Sequence, residues 1–406
     1  MRKTLIWLFL FSSASLIAQT ELDEIEKELR EAEKRGEEQK SAMGSTPRLV
    51  PVRQRTGFIV DRASIPDIFT VADIVHEQDA YGIRRETKNN IDVREVEFGF
   101  SGFVDWLAHG NALFALHRDD HQDLQGRYIF DIHELFLDFY NLPYNLRARV
   151  GKMFLDAGRL NSIHRHDWFF TNAPLIHKAV MNDLFVGEGA ADTGIEIAYL
   201  MPWDFFQELK IGIFRGRIFG HGHTDGIEKA APLWLGRLKQ FFPLVGNLGT
   251  EFGFTYLRYQ PTISPHDVDY TYGSDITFRW FHSRIYRFIF TTEFWYKELY
   301  RAPTPIMAGY RDSLWGFYTF FDFIFMQNYG VGYRFDYYED YYQVYAQRRH
   351  YLGNTFWFTY RPSEFAYYRL TLEARHYHGY DGIYGINYLV FLQGTYILGF
   401  HLPHRY

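Results

Sequence analysis

The chain of 406 residues contains no cysteine, so neither a disulfide framework nor a thiolate metal site is available to it. Past the N-terminus it has no apolar run of the ~18 residues that a transmembrane helix needs. A net charge of -6 is too small to suggest a nucleic-acid partner. No nucleophile elbow, phosphate-cradling glycine loop, H-E-x-x-H zinc helix or evident Ser-His pairing occurs, so nothing marks an enzyme. Aromatic residues, by contrast, are abundant: Tyr 31, Phe 39 and Trp 9 make up 19% of the chain. Lipid-facing strands and interfacial girdles explain that load better than a soluble core does. Mean hydropathy is nevertheless negative, as expected when every second strand residue faces water.

The stretch Arg284 to Lys297 shows the pattern most clearly. Tyr286, Phe288, Phe290, Thr292, Phe294 and Tyr296 fall on one parity, whereas Arg287, Thr291, Glu293 and Lys297 fall on the other. Period two means a β-strand with one apolar and one polar face. Tyr286 and Tyr296 bracket the apolar face and, at ~3.3 Å per residue and a tilt of about 45°, lie roughly 23 Å apart along a membrane normal. That matches the apolar band of an outer-membrane barrel, about 25 Å tall. The segments 252–256, 276–280, 331–337 and 369–375 repeat the alternation, as does the last strand, which carries Tyr396, Leu398, Phe400 and Leu402 toward the terminal Tyr406. A terminal aromatic residue on the lipid-facing parity is the kind of signal that barrel-assembly machinery reads.

Residues 1–20 read as a signal peptide, with Arg2 and Lys3 ahead of the apolar Leu5 to Phe11 and small residues up to Ala18. In residues 21–40, Leu22, Ile25, Leu29 and Ala32 lie at three- and four-residue spacing among nine acids and five bases, the pattern of a short acidic helix or coiled-coil seam. A solvated tail is the alternative, because two heptads make a marginal helix. Residues 41–56, with Gly44, Pro47 and Pro51, read as a linker, and residues 57–406 as the barrel. Seven short turns, near 106–111, 141–145, 201–207, 243–247, 281–284, 323–328 and 361–365, alternate with eight longer loops, of which the first is 63–92 and the longest 156–192. The expectation is an all-β, up-and-down antiparallel transmembrane barrel of about 16 strands, with 14 or 18 left open by a weak first strand at Gly57 to Asp61. Outer-membrane lipid is the implied partner.

The polar parity collects both signs. Arg147, Arg149, Arg237, Lys239, Arg279, Arg287, Arg334, Arg369 and Arg375 are expected to line the lumen with Glu293 and Glu373, with a slight lean toward anions. The alternative is that they pair across strands to hold the wall. Loop 156–192 is long enough to need a function, and folding inward would set Arg159, Arg165 and Asp167 at a constriction beside Arg147 and Arg149. Each of His164-x-His166 and His221-x-His223 would project two imidazoles to one side of an extended chain, a donor set suited to zinc or copper. Ordinary polar loop residues are the alternative there.

Four stretches together resemble a family of Gram-negative proteins known as zinc-regulated outer-membrane or receptor-like proteins, related in style to the phosphate-selective porins. They are Asn141 to Asn161 (NLPYNLRARVGKMFLDAGRLN), Asn161 to Trp168 (NSIHRHDW) with Val186 to Phe206 (VGEGAADTGIEIAYLMPWDFF), Pro362 to Leu370 (PSEFAYYRL) and Leu392 to Tyr406 (LQGTYILGFHLPHRY). The resemblance implies a monomeric or homotrimeric barrel with a short acidic N-terminal helix, and it points to His164 and His166 as the family's paired histidines. The family's terminal Phe after Ala-His-Pro is replaced here by His404-Arg405-Tyr406. About 36 residues ahead of the first strand are too few for the plug of a TonB-dependent receptor. The expected function is a porin-like channel for passive or facilitated diffusion of small hydrophilic solutes. A metal-binding or metal-uptake protein, and a structural or adhesive barrel closed by its long loop, remain as alternatives.

Overall fold

A computed structural model describes residues 66–83, 85–118, 128–181, 189–216, 232–261, 264–283, 285–303, 308–342, 347–380 and 383–399. The signal-peptide, acidic and linker segments, His221, His223 and Tyr406 lie outside these residues. Sixteen antiparallel strands pair in sequence order, and β1 (Asp67–Tyr81) closes the ring against β16 (Ile383–Gly399) in a register running from Phe69 opposite Gly399 to Tyr81 opposite Tyr388. Between them run β2 (Ile91–Phe103), β3 (Ala108–Arg118), β4 (Tyr128–Leu142), β5 (Leu146–Phe154), β6 (Ala191–Leu200), β7 (Phe206–Phe214), β8 (Leu233–Pro243) and β9 (Leu248–Tyr259). The remainder are β10 (Val268–Phe281), β11 (Arg287–Arg301), β12 (Tyr310–Phe325), β13 (Tyr329–Tyr342), β14 (Gln347–Ser363) and β15 (Ala366–Tyr380). Closure leaves no unpaired edge, which lets a sheet survive in hydrocarbon.

The strand alternation places its residues as the sequence led us to expect. On β11, Ile289, Thr291, Glu293, Trp295 and Lys297 are buried toward the interior while Phe294 faces out; Leu370 and Leu372 of β15 are likewise exposed and Arg369, Thr371 and Glu373 buried. Exposed Ile195, Ile197, Ile211, Ile213, Phe254, Phe356 and Phe358 extend the apolar belt around the wall. Burial outside water is the only favourable state for such a belt, so this is a transmembrane barrel of the outer-membrane type. Aromatic rows border it. Tyr256, Tyr272 and Tyr296 stand side by side at 5.5 and 6.4 Å on the long-loop side, and Tyr368 meets Tyr396 at 5.9 Å on the tight-turn side.

One expectation is corrected. The segment 63–92 is not a single outer loop, because β1 occupies Asp67–Tyr81 within it. Both faces of β1 carry apolar residues, Phe69, Val71 and Val75 inward and Ile68 and Ile74 outward, so the polar–apolar contrast that flags a strand is blurred. The tight turns fall within a few residues of the expected places. In the turn after β12, Met326 and Gln327 both take positive φ, the backbone of a primed hairpin turn.

Candidate functional site: the inward loop and its luminal cavity

The connection from β5 to β6, described over residues 155–181 and 189–190, folds into the barrel rather than out of it. Leu155, Ala157, Leu160, Ile163, Trp168, Phe170, Ile176, Val180 and Met181 are buried, and they form one core with inward-facing Trp295, Tyr318, Phe320, Tyr338, Tyr351, Trp357 and Tyr377 of β11–β15. A short helix, α1 (Leu175–Val180), seats the far part of the loop against β11–β13. Apolar loop residues thus find in the lumen the burial that a water-exposed loop would lack.

Polar contacts then tie the loop around the ring. Gly158 N donates to Thr255 Oγ1 of β9 at 3.1 Å, and Arg159 N donates to Glu293 Oε2 of β11 at 2.8 Å. Arg94 of β2 donates to Thr171 O at 2.8 Å, and Arg334 of β13 to Asn172 O at 2.6 Å while lying 4.2 Å from the centre of the Phe170 ring. Thr171 Oγ1 is within 2.9 Å of both Thr371 and Gln393. At the loop's base, Asn161 donates to Leu155 O and Ala190 O and accepts from Ala190 N. Each bond contributes roughly 1 kcal/mol net, but leaving one such buried group unmade costs more.

Open space adjoins this plug among the described residues. A cavity of about 350 Å³ lies between the loop and β2–β9, lined by Glu97, Glu134, Asp138, Asp156 and Glu251 and by Arg147, Arg149, Arg159, Lys210, Arg237 and Lys239. Nearly every charge there has a partner. Arg147 pairs with Asp138, Arg149 with Glu196 at 2.6 Å, Arg159 with Glu251 at 3.1 Å and Arg237 with Asp275 at 2.6 Å. Asp156, on the loop, sits against Lys210 and lies 2.8 Å from Lys239. Burial by itself would raise the Asp156 carboxyl, but Lys210, Lys239 and Arg237 outweigh it and hold the group well below the usual carboxylate range.

The expected luminal residues therefore separate into two sets. Arg147, Arg149, Arg159, Arg237 and Lys239 border the cavity. Glu293, Arg334, Arg369, Glu373 and Arg375 face inward but are covered by the loops and by neighbouring side chains. Glu293 accepts from Tyr318 at 2.7 Å and Trp295 at 2.5 Å; Glu373 accepts from Arg375 at 2.7 Å; Arg375 also pairs with Glu86 of the β1–β2 loop. Arg369 reaches Thr359 and Gln393. Arg279 binds Glu251 at 2.8 Å, and Arg287 stands at the tight-turn rim. Arg165 and Asp167 belong to a 3-10 turn of the loop, where Asp167 lies 2.9 Å from His166.

His164 and His166 do come together, with rings stacked at 5.7 Å and 17°, but three of their neighbours, Glu95, Glu97 and His133, are residues that sequence reasoning did not single out. Glu95 and Glu97 of β2 and His133 and Glu134 of β4 surround them. Burial disfavours charge on His164, yet Glu97 and Glu134 more than offset it and raise the ring well above its ordinary value. His166 is raised in the same way, against burial, by Asp167 and Glu97. Two bulges build this corner. Arg94 is the extra residue where Asp73 pairs with Glu95 and Ile74 with Val93, and His133 is the extra residue where Leu113 pairs with Glu134 and Phe114 with Ile132. Each bulge turns two successive side chains inward, which period-two counting does not anticipate.

No family model matches the chain. Over 187 residues, 41% of this chain, it is 30% identical to a protein of Aquifex aeolicus described only as uncharacterized, and it spans about two fifths of that relative's length. Among solved structures it is similar to the outer membrane protein OmpT of Vibrio cholerae in a trimer form (TM-score 0.52, 8% identity, 82% of this chain and 99% of that one). It is also similar to the outer membrane channel DcaP of Acinetobacter baumannii (TM-score 0.53, 10% identity, 82% and 96%) and to OmpF of Salmonella typhi (TM-score 0.51, 9% identity, 82% and 97%). The fold is that of a porin. At these identities the likeness speaks for the sixteen-stranded porin fold, and the chemistry of this lumen has to be read from its own residues.

Proposed function

We propose that this porin-fold protein sits in the outer membrane of a Gram-negative bacterium and passes small hydrophilic solutes by diffusion, with loop residues 155–181 as its constriction and the route running along β2–β9. The observation that carries this reading is the charged cavity of about 350 Å³ between the loop and that wall, opposite the aromatic core in which the loop is seated. Paired charges keep such a passage hydrated without making it a trap, because each bears a compensating partner. Six Arg and Lys against five Asp and Glu at the cavity give a weak lean toward anions. Nothing in this reading involves covalent chemistry. A homotrimer is the oligomer we expect, in keeping with the trimer form of the Vibrio protein.

Planar-bilayer recording of the refolded full chain tests the proposal. Small conductance steps with a reversal potential displaced slightly toward anions are expected, and a mass three times the protomer in mild detergent. A second reading, a barrel closed by its own loop, draws on the aromatic core that joins loop and wall. Silence in the bilayer at every salt concentration, together with conduction once the loop is excised, would select it.

A further inference from the structure

Beside the cavity, the densest group of metal-ligating side chains among the described residues lies where the loop meets β2 and β4. Glu97, 1% exposed, points at three imidazoles: its Oε1 is 3.1 Å from His164 Nδ1 and 3.5 Å from His133 Nδ1, and its Oε2 is 3.6 Å from His166 Nδ1. Glu95 adds a second carboxylate 3.4 Å from His133 Nδ1. The potential ligand atoms of Glu97, His133 and His164 all lie within 4.8 Å of one another, and so do those of Glu95, Glu97 and His166. Three of the four nitrogen–oxygen separations exceed the 2.7–3.2 Å of an ordinary hydrogen bond. They match instead the edge of a tetrahedron, about 3.4 Å, drawn around a cation with bonds of about 2.1 Å.

We propose that Glu97, His133 and His164, with Glu95 and His166 as the adjoining triad, bind a divalent transition cation of the zinc class. Imidazole nitrogen with carboxylate oxygen suits such a cation, whereas calcium and magnesium call for oxygen-only shells. The ligands come from two origins. Glu95, Glu97 and His133 belong to the wall, while His164 and His166 belong to the inward loop, so the ion fastens the loop to the wall at the border of the cavity. His133 reaches the site because of the β4 bulge, and bulges characteristically re-aim side chains beside functional sites. The other expected motif, His221 and His223, lies outside the described residues. Ion binding stands independently of the diffusion reading; only its effect on conductance rests on it.

Calorimetric titration of zinc into the refolded, chelator-treated full chain in detergent is the test. Saturable binding is expected, weakened by at least roughly 10- to 100-fold in a His133→Ala, His164→Ala variant, since even outer-shell losses have that effect. A His221→Ala, His223→Ala variant is expected to bind as the unaltered chain does. Heat-modifiable mobility in gels checks that each variant is a folded barrel. Should the histidine variant fail to fold, cobalt(II) added to the unaltered chain gives a second readout, the visible absorption of a low-coordinate nitrogen–oxygen site. No zinc binding and no cobalt absorption by the folded chain would overturn the proposal, as would zinc binding that survives loss of His133 and His164 but not of His221 and His223. In bilayers, a chelator is expected to raise conductance. A chelator without effect, zinc binding intact, would set aside the diffusion reading and leave the site standing.

Discussion

Strands β2–β9 and β11–β15 receive the same loop, but the first group adds to a few apolar contacts, from Phe214, Leu233, Leu235, Leu257 and Tyr259, a set of ion pairs around a cavity, whereas the second closes on it with rings. The walls differ in height as well. β5 and β7 have nine residues each and β14 seventeen, roughly 21 against 40 Å along the membrane normal at the strand rise and tilt of such barrels. The contrast teaches that one loop can be both plug and channel lining. Aromatic burial supplies most of the holding energy on one side, leaving the other side free to be polar and hydrated.

The largest change is expected from the aromatic side. Replacing Trp168 and Phe170 by alanine removes two rings from the core, at about 3–5 kcal/mol each. The loop should release while the strand ladder persists, read as a several-fold rise in conductance with unchanged far-UV circular dichroism. Unchanged conductance would show that the rings do not hold the plug. Next comes Glu293→Ala, which strands Arg159 N, Tyr318 and Trp295 at a cost of about 1–3 kcal/mol. Faster amide hydrogen exchange at Arg159, by about tenfold or more, is the measurement.

The polar side should yield to acid. Because Asp156 is held below its unfolded value of about 3.9, its contribution to loop docking is fully present above that pH and is lost as pH falls toward the folded value. Conductance is therefore expected to rise below about pH 4, and Asp156→Asn to remove that step. Persistence of the step in the variant would place the acid-labile contact elsewhere. The smallest effect belongs to Lys239→Gln. This partly exposed ammonium shares Asp156 with Lys210, so the stability change should stay under about 1 kcal/mol while the reversal potential moves toward cations.

Much of the fold was legible because the bilayer imposes a strict rule on strand residues. On β11 and β15 apolar and polar side chains alternate, and the turns between strands carry the residues that break the pattern. Where both faces are apolar, as on β1, that legibility fails. For the site, charged residues at the right parity were visible, and so was the inward propensity of an over-long loop. Trp295, Tyr318 and Trp357 were harder to read: a ring on the inward parity looks like an exception until the loop that covers it is in place.

The sequence by itself determined the closed transmembrane barrel, since alternation, girdle spacing and turn rhythm are local properties that solvation on two sides enforces. Only the tertiary structure decided which luminal charges border open space and which are sealed, because that depends on where loop residues 155–181 run inside the ring. It also decided the company of His164 and His166. Two bulges and a crossing loop bring Glu95, Glu97 and His133 to them across up to 71 positions of chain, a proximity that no spacing along the sequence encodes.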